Sequence, residues 1–222
     1  MDLLNKKYVR QGIHGIVSLF TVEGSSIKVL LVKEHAGPYS GRWILTGGAI
    51  YNDEDIESGI RRELSEKISM NDFYMEQFGI YSDPKRTSVV RMVAVTYVAL
   101  VSNEQCKLIK EDENKRWFKL SELPDLGYDH NQILNDSIEY LKKIILKSNI
   151  VRALLPEYFT MPQLTKIYST LLNKEIDRRN FRKKFLSLNL IDEVNYTGVR
   201  KVGKPAKYYK FKDNIVEDKV IF

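Results

Sequence analysis

Residues 47–70 read GGAIYNDEDIESGIRRELSEKISM, a glycine pair followed by an acidic loop and a run rich in carboxylates. Within it Ile56, Ile60, Leu64 and Ile68 step by four, which lays one apolar stripe along a helix and predicts that helix over about 54–67. Asn52 or Asp53 is placed to cap its start. The Gly47-Gly48 pair predicts a turn that admits close backbone approach or positive φ. Glu63 with Lys67, and Arg62 with Glu66, stand at i,i+4, so ordinary surface ion pairs worth roughly 0.2–0.5 kcal/mol each are one reading of this face. A ligand site is the other.

Upstream, 13–20 and 27–33 are rich in Ile, Val and Leu and predict two strands of a hairpin around the turn 23–26. The loop 35–42 (HAGPYSGR) leads into a short strand at 43–45. Downstream, strands are expected at 74–81, 89–101 and 116–119. Strands interspersed with helices imply an α+β fold, here an α/β/α sandwich. An amphipathic helix over 131–147, apolar at Leu134, Ile138, Leu141 and Ile145, connects this body to the C-terminal third of the chain.

Thr160-Met161-Pro162-Gln163 is a capping box, with Pro in the first helical turn where its missing N–H does no harm. Leu164, Ile167, Tyr168, Leu171 and Leu172 give that helix its stripe, and after a break at 173–176 Asp177 caps a second helix over 178–188. Two strands, 190–196 and 206–211, flank the basic loop TGVRKVGKP. Helix, turn, helix and hairpin together predict a winged helix-turn-helix. On the second helix Phe181, Phe185 and Leu188 share one side, while Arg179, Asn180, Lys183 and Ser187 share the other. The outward set suits base edges, and Arg178, Arg182 and Lys184 at its flanks suit phosphates. Arg200, Lys201, Lys204 and Lys207 add charge from the wing.

Charge supports a two-domain division of the 222 residues at 148/149. Residues 1–148 set 20 Lys and Arg against 21 Asp and Glu, whereas 149–222 set 15 against 8, so the basic excess lies in the part that reads as DNA-binding. A single cysteine, Cys106, excludes an intrachain disulfide and a cysteine zinc cluster, which suits a reduced cytosolic setting. The N-terminal stretch has no apolar signal region, and the longest apolar run, 92–101, is far short of a membrane span.

Gly48, Glu54, Arg62, Glu63, Leu64 and Glu66 match the Nudix signature G-x5-E-x7-R-E-U-x-E-E-x-G-U, where U is aliphatic. With the winged helix behind it, the chain resembles the NrtR-type Nudix-related transcriptional regulators along nearly its whole length. The shared phrases include FGIYSDPKR, RWFKLSELPDLGYDH, LLPEYFTMPQLTKIY and DRRNFRKKFLSLNLI. The resemblance implies a homodimeric bacterial regulator, cytoplasmic and without membrane attachment, that binds a double-stranded DNA operator. Its Nudix-like domain would sense ADP-ribose or a sugar.

The resemblance also implies that Glu54 and Arg62 fix the loop, and that Glu63 and Glu66 are metal ligands if a metal is retained. Two departures weigh on the metal: Lys67 replaces the second Glu of the pair and Ser69 the following Gly. A lysine removes a carboxylate and adds positive charge where a cation would sit. No cofactor is therefore required, and Mg²⁺ enters only if hydrolysis survives. The alternative is a Mg²⁺-dependent pyrophosphohydrolase of ADP-ribose or a related nucleoside diphosphate, with an accessory DNA-binding domain. Candidate effector contacts are Arg42, Trp43, Arg62, Glu63 and Arg86, although Trp43 suits core packing as well as stacking on a base.

Overall fold

A computed structural model describes residues 11–70, 73–88, 90–196 and 206–212. The body is built on β1 (Gln11–Glu23), β2 (Ser26–Lys33), β3 (Trp43–Ala49), β4 (Tyr74–Tyr81), β5 (Arg91–Leu100) and β6 (Lys115–Lys119). They form one mixed sheet in the order β4-β5-β1-β3-β2-β6, with β1 and β5 parallel and the other pairs antiparallel. Helix α1 (Ile56–Ile68) covers one face, α2 (Asn103–Cys106) follows β5, and α3 (His130–Ile144) covers the other face.

The central strand β1 explains the sandwich. Its side chains alternate between faces, so Val17 and Leu19 join Ile60, Leu64 and Ile68 of α1, while Ile16, Phe20 and Val22 join Ile133, Leu134 and Leu141 of α3. Both faces are buried, which is why the strand reads as a nearly continuous apolar run. The expected α/β/α sandwich is the observed architecture.

Three local expectations need correction. Gly47 and Gly48 lie inside β3 rather than in a turn, because β3 runs on to Ala49 and pairs with β1 through Ile16–Gly47 and Gly15–Gly48. Gly47 nevertheless holds φ +136, and a Cβ there would meet the Gly15 carbonyl oxygen at 2.0 Å. Helix α1 starts at Ile56, capped by Asp55, whose carboxylate accepts from Ser58 N at 2.9 Å. Neither Asn52 nor Asp53 caps it, and Glu54 is held outside by its bonds to Arg62 and the Tyr51 amide. The strand β5 begins at Arg91, so Val90 precedes it rather than belonging to it, and Val89, the expected start of the strand, lies outside the described residues.

The C-terminal part contains α4 (Met161–Leu172), α5 (Arg178–Ser187) and a three-stranded sheet of β7 (Phe159–Thr160), β9 (Tyr208–Phe211) and β8 (Ile191–Val194). The Thr160 capping box forms as expected, and Asp177 caps α5 by accepting from Asn180 N at 2.8 Å. The tip of the wing, 197–205, lies outside the described residues. Tyr168, Phe181, Phe185 and Phe211 pack ring against ring, with centroids 5.3–6.1 Å apart along the Tyr168–Phe181, Phe181–Phe185 and Phe185–Phe211 contacts. This aromatic core is continuous with the α3 face of the body through Ile145, Ile150, Val151 and Leu154. Arg152 also donates to the Lys212 carbonyl at 3.1 Å, tying the connector to the wing sheet. No helix among the described residues is long and apolar enough to cross a membrane.

Candidate functional site

A cavity of about 550 Å³ opens beside β3 and α1 and is bounded on its far side by the start of α3. The β3 backbone at Gly47 and Gly48 forms part of its wall, and the absence of a side chain at Gly48 is required there. A Cβ at that position would lie 2.1 Å from Glu63 Oε2.

Glu63 is buried, and both of its oxygens are committed. Arg62 Nη1 donates to Oε1 at 2.8 Å and Lys67 Nζ donates to Oε2 at 2.8 Å. Burial on its own pushes the Glu63 carboxyl up, but the hydrogen bonds from Lys67 and Arg62 outweigh it and hold the group below its ordinary value. Arg62 is the hub of the box. It bonds Glu54 through Nε at 3.0 Å and Nη2 at 2.6 Å, donates to the Ala49 carbonyl at 2.9 Å, and stacks 3.8 Å from the Tyr51 ring centroid. Glu54, then Glu63, raise the pKa of its guanidinium. The i,i+4 pairs expected from the sequence therefore divide: Glu63–Lys67 is tight and half-shielded, whereas Arg62–Glu66 is loose at 3.8 Å and Glu66 is exposed.

A divalent cation does not fit this arrangement. Lys67 Nζ donates to Glu63 and also to the Gly47 carbonyl, so an ammonium already occupies oxygens a hard cation would need. Glu66 stands apart from them, with its side chain 60% exposed. Among the described residues no group of three or more His, Cys, Asp or Glu is disposed to hold a metal ion.

Across the cavity Arg86 is 8% exposed and makes a bidentate pair with Asp129, Nε to Oδ2 at 2.9 Å and Nη2 to Oδ1 at 2.8 Å. Its Nη1 is buried with no hydrogen-bond partner among the described residues. Tyr128 donates to Glu34 at 3.0 Å, and its ring lies 4.5 Å from Tyr39 and 5.4 Å from His130, giving the cavity an aromatic side. His130 accepts from the Leu45 amide through Nδ1 at 3.0 Å, and burial pulls its pKa down to about 4. The imidazole is neutral there. His14 is also lowered, first by burial and then by Arg86 and Lys67.

Of the five candidate effector contacts, Glu63 and Arg86 line this cavity. Arg42 lies outside its lining, paired with Asp125 at 2.9 Å. Trp43 packs edge-on against Phe118 at 4.9 Å, and Arg62 stands behind Glu63 as its partner. Sequence reasoning missed His14, Glu34, Lys115, Tyr128 and His130 as lining residues. A signal was available, since the chain has three histidines and all of them, His14, His35 and His130, line the cavity.

The second site is the outer face of α5. Phe181 and Phe185 are buried, while Arg178, Arg179, Asn180, Arg182, Lys183 and Lys184 are all exposed. Arg178, Arg179, Lys183 and Lys184 make no ion pair among the described residues, so their charge is presented to solvent. Arg182 contacts the Tyr209 hydroxyl at 3.4 Å, and Lys207 pairs with Glu193 across the hairpin at 2.5 Å. Arg200, Lys201 and Lys204 fall within the part of the wing outside the described residues.

The chain matches the NUDIX domain over residues 12–137 and the NrtR DNA-binding winged helix domain over residues 151–211. The ADPR responsive transcriptional repressor NtrR of Acinetobacter baylyi is 25% identical over 201 residues, spanning 88% of this chain and 80% of that protein. Shewanella oneidensis NrtR, solved in complex with a 27mer DNA, is 30% identical with a TM-score of 0.80, over 90% of this chain and 93% of that one. The NUDIX domain of the same Shewanella protein, solved in complex with ADP ribose, is 30% identical with a TM-score of 0.52, over 61% of this chain and 92% of that one. The Nudix fold continuing into a basic winged helix is thus shared along nearly the full length of the Shewanella regulator, and the chain belongs to the NrtR-type Nudix-related transcriptional regulators.

Proposed function

We propose that this regulator is an ADP-ribose-responsive repressor, in which the cavity beside β3 takes the effector and α5 reads the operator. The observation that carries the DNA half is the split of α5 into a buried aromatic face and an exposed face bearing Arg178, Arg179, Asn180 and Lys183. Such a face supplies phosphate neutralisation and base-edge donors at once. The effector half is supported by the cations and aromatic rings that line the cavity, and by the ADP ribose bound to the Shewanella relative's NUDIX domain. A sugar would use the aromatic side but would bring no anionic oxygens to the Lys67 and Arg86 donors.

The division into an effector body of residues 1–148 and a DNA-binding part of residues 149–222 belongs to this reading. So does a bacterial cytoplasmic setting. The regulator acts as a homodimer whose two α5 helices meet a near-palindromic site. β4 is an edge strand of the sheet and carries Ile80 at 61% exposure, an apolar position that a second copy would cover in this reading. Effector binding acts through the core that α3 shares with the winged helix, by favouring one of two separations of the recognition helices.

A hydrolase reading is disfavoured by Glu63, whose carboxylate is fully occupied by Arg62 and Lys67. Gel-shift titration of DNA from upstream of the protein's own gene, against random competitor, tests the proposal. Selective binding relieved by ADP-ribose supports it. Equal binding to all duplexes, with Mg²⁺-dependent turnover of ADP-ribose abolished by Glu63→Gln, would overturn it.

A further inference from the structure

Lys67 is more than a lost carboxylate. Its ammonium is held by Glu63 Oε2 at 2.8 Å and by the Gly47 carbonyl, two oxygens of the kind a hard divalent cation takes as ligands. An ammonium has three donors, so with two committed one remains for a ligand. Lys67 and Glu63 both line the cavity, and Lys115 donates to the Lys67 carbonyl at 3.0 Å, bracing that turn of the helix.

The second observation is independent of the box. Arg86, 8% exposed, lines the same cavity, and its Nη1 has no acceptor among the described residues although Nε and Nη2 are paired with Asp129. A buried guanidinium N–H without an acceptor is costly, and because Nη1 has almost no accessible surface, a ligand oxygen satisfies it only when the Arg86 side chain turns towards the cavity it lines. Lys67, Arg86 and His14 all line this one cavity.

We propose that Lys67 and Arg86 form a metal-free diphosphate-binding edge, the Lys67 ammonium standing where a divalent cation would otherwise bridge protein and phosphate. This rests on the ADP-ribose-type effector proposed above. Charge-assisted hydrogen bonds from a fixed ammonium and a fixed guanidinium supply what a bridging cation would have supplied. The effector is then sensed whatever the free Mg²⁺ concentration.

Isothermal titration of the full chain with ADP-ribose, in EDTA and again in excess MgCl₂, tests this. Wild-type affinity is expected to be the same in both buffers to within about twofold. Lys67→Gln is expected to weaken binding by about tenfold or more in both, the loss of one charge-assisted contact. Lys67→Glu should bind poorly in EDTA and recover by about tenfold in Mg²⁺, because it restores an anionic site for the cation. Arg86→Lys, which keeps the charge beside Asp129 but lacks the third nitrogen, should also weaken binding. Melting of each variant without ligand checks that the fold is intact.

Wild-type affinity that rises more than about tenfold with Mg²⁺, or Lys67→Gln binding as tightly as wild type, overturns the proposal. Inorganic pyrophosphate separates the two readings. If it binds in EDTA and Lys67→Gln abolishes that while ADP-ribose does not bind, the effector assignment fails and the metal-free edge stands. If neither binds, the edge itself is refuted.

Discussion

Asp129→Ala removes the carboxylate that pairs with a guanidinium almost completely enclosed by the fold. The Arg86 side chain is 2% exposed and that of Asp129 20%, with two hydrogen bonds of 2.8 and 2.9 Å between them. Breaking a buried pair by deleting one partner costs about 3–5 kcal/mol, because the other charge stays desolvated, and the partial exposure of Asp129 argues for the lower end. About 3 kcal/mol corresponds to a fall in Tm of roughly 6–12 °C for a chain of this size. The pair also ties the segment after β4 to the first turn of α3, the helix whose face is continuous with the winged-helix core. Urea denaturation followed by circular dichroism gives the free energy, and Arg86→Met/Asp129→Leu is the control. Removing both charges should recover most of the loss, since a buried pair replaced by apolar groups is close to neutral. A single-mutant loss below about 1 kcal/mol, or a double mutant no more stable than the single, would show that no desolvated charge is left behind when Asp129 is removed.

His130 makes stability depend on pH. Its folded pKa of about 4 lies below the ordinary 6.5, so the unfolded chain binds the proton more readily, and its contribution is complete above pH 6.5 and lost as pH falls towards 4. Tm measured across that window should fall more steeply for wild type than for His130→Asn, which can still accept from the Leu45 amide. On α5, Arg179→Ala should cost about 1–3 kcal/mol of operator binding and relax specificity, whereas Lys184→Ala should weaken all duplexes alike and lower the salt slope by about one, as read by fluorescence anisotropy. Gly48→Ala should destabilise by about 1–3 kcal/mol, because the added Cβ meets the Glu63 carboxylate at 2.1 Å and the ion-paired helix has little room to give, and thermal melting checks it.

The elements with strong periodicity or paired caps were legible in the sequence. The α1 stripe, the capping box at Thr160 and the Asp177 cap all appear where the residues place them, since each depends on neighbours a few positions away. The short helix α2 carries a similar signature, Ser102 with Gln105, and went unread inside a segment with no apolar repeat. Gly47-Gly48 misled because a glycine pair suggests a turn, while here the glycines let β3 approach β1 and leave room for Glu63.

The candidate site was legible where one motif carried it and obscure where it depended on folding distance. Glu63, Lys67 and Arg62 are sequence neighbours, so their pairing could be read in advance. Arg86 with Asp129, and His130 with Leu45, are joined across 43 and 85 positions by the closing of the α3 layer over the sheet. No local pattern announces such contacts.

In the proposed function one chain couples effector binding to operator binding. Fluorescence anisotropy of the full chain on labelled upstream DNA, titrated with and without ADP-ribose in EDTA, measures that coupling directly. The expected result is sequence-selective binding whose Kd rises roughly 5- to 150-fold with saturating ADP-ribose, with ADP-ribose affinity reduced by the same factor when DNA is bound. Selective binding with an unchanged Kd, while ADP-ribose binds the protein, would show that the two sites are not coupled.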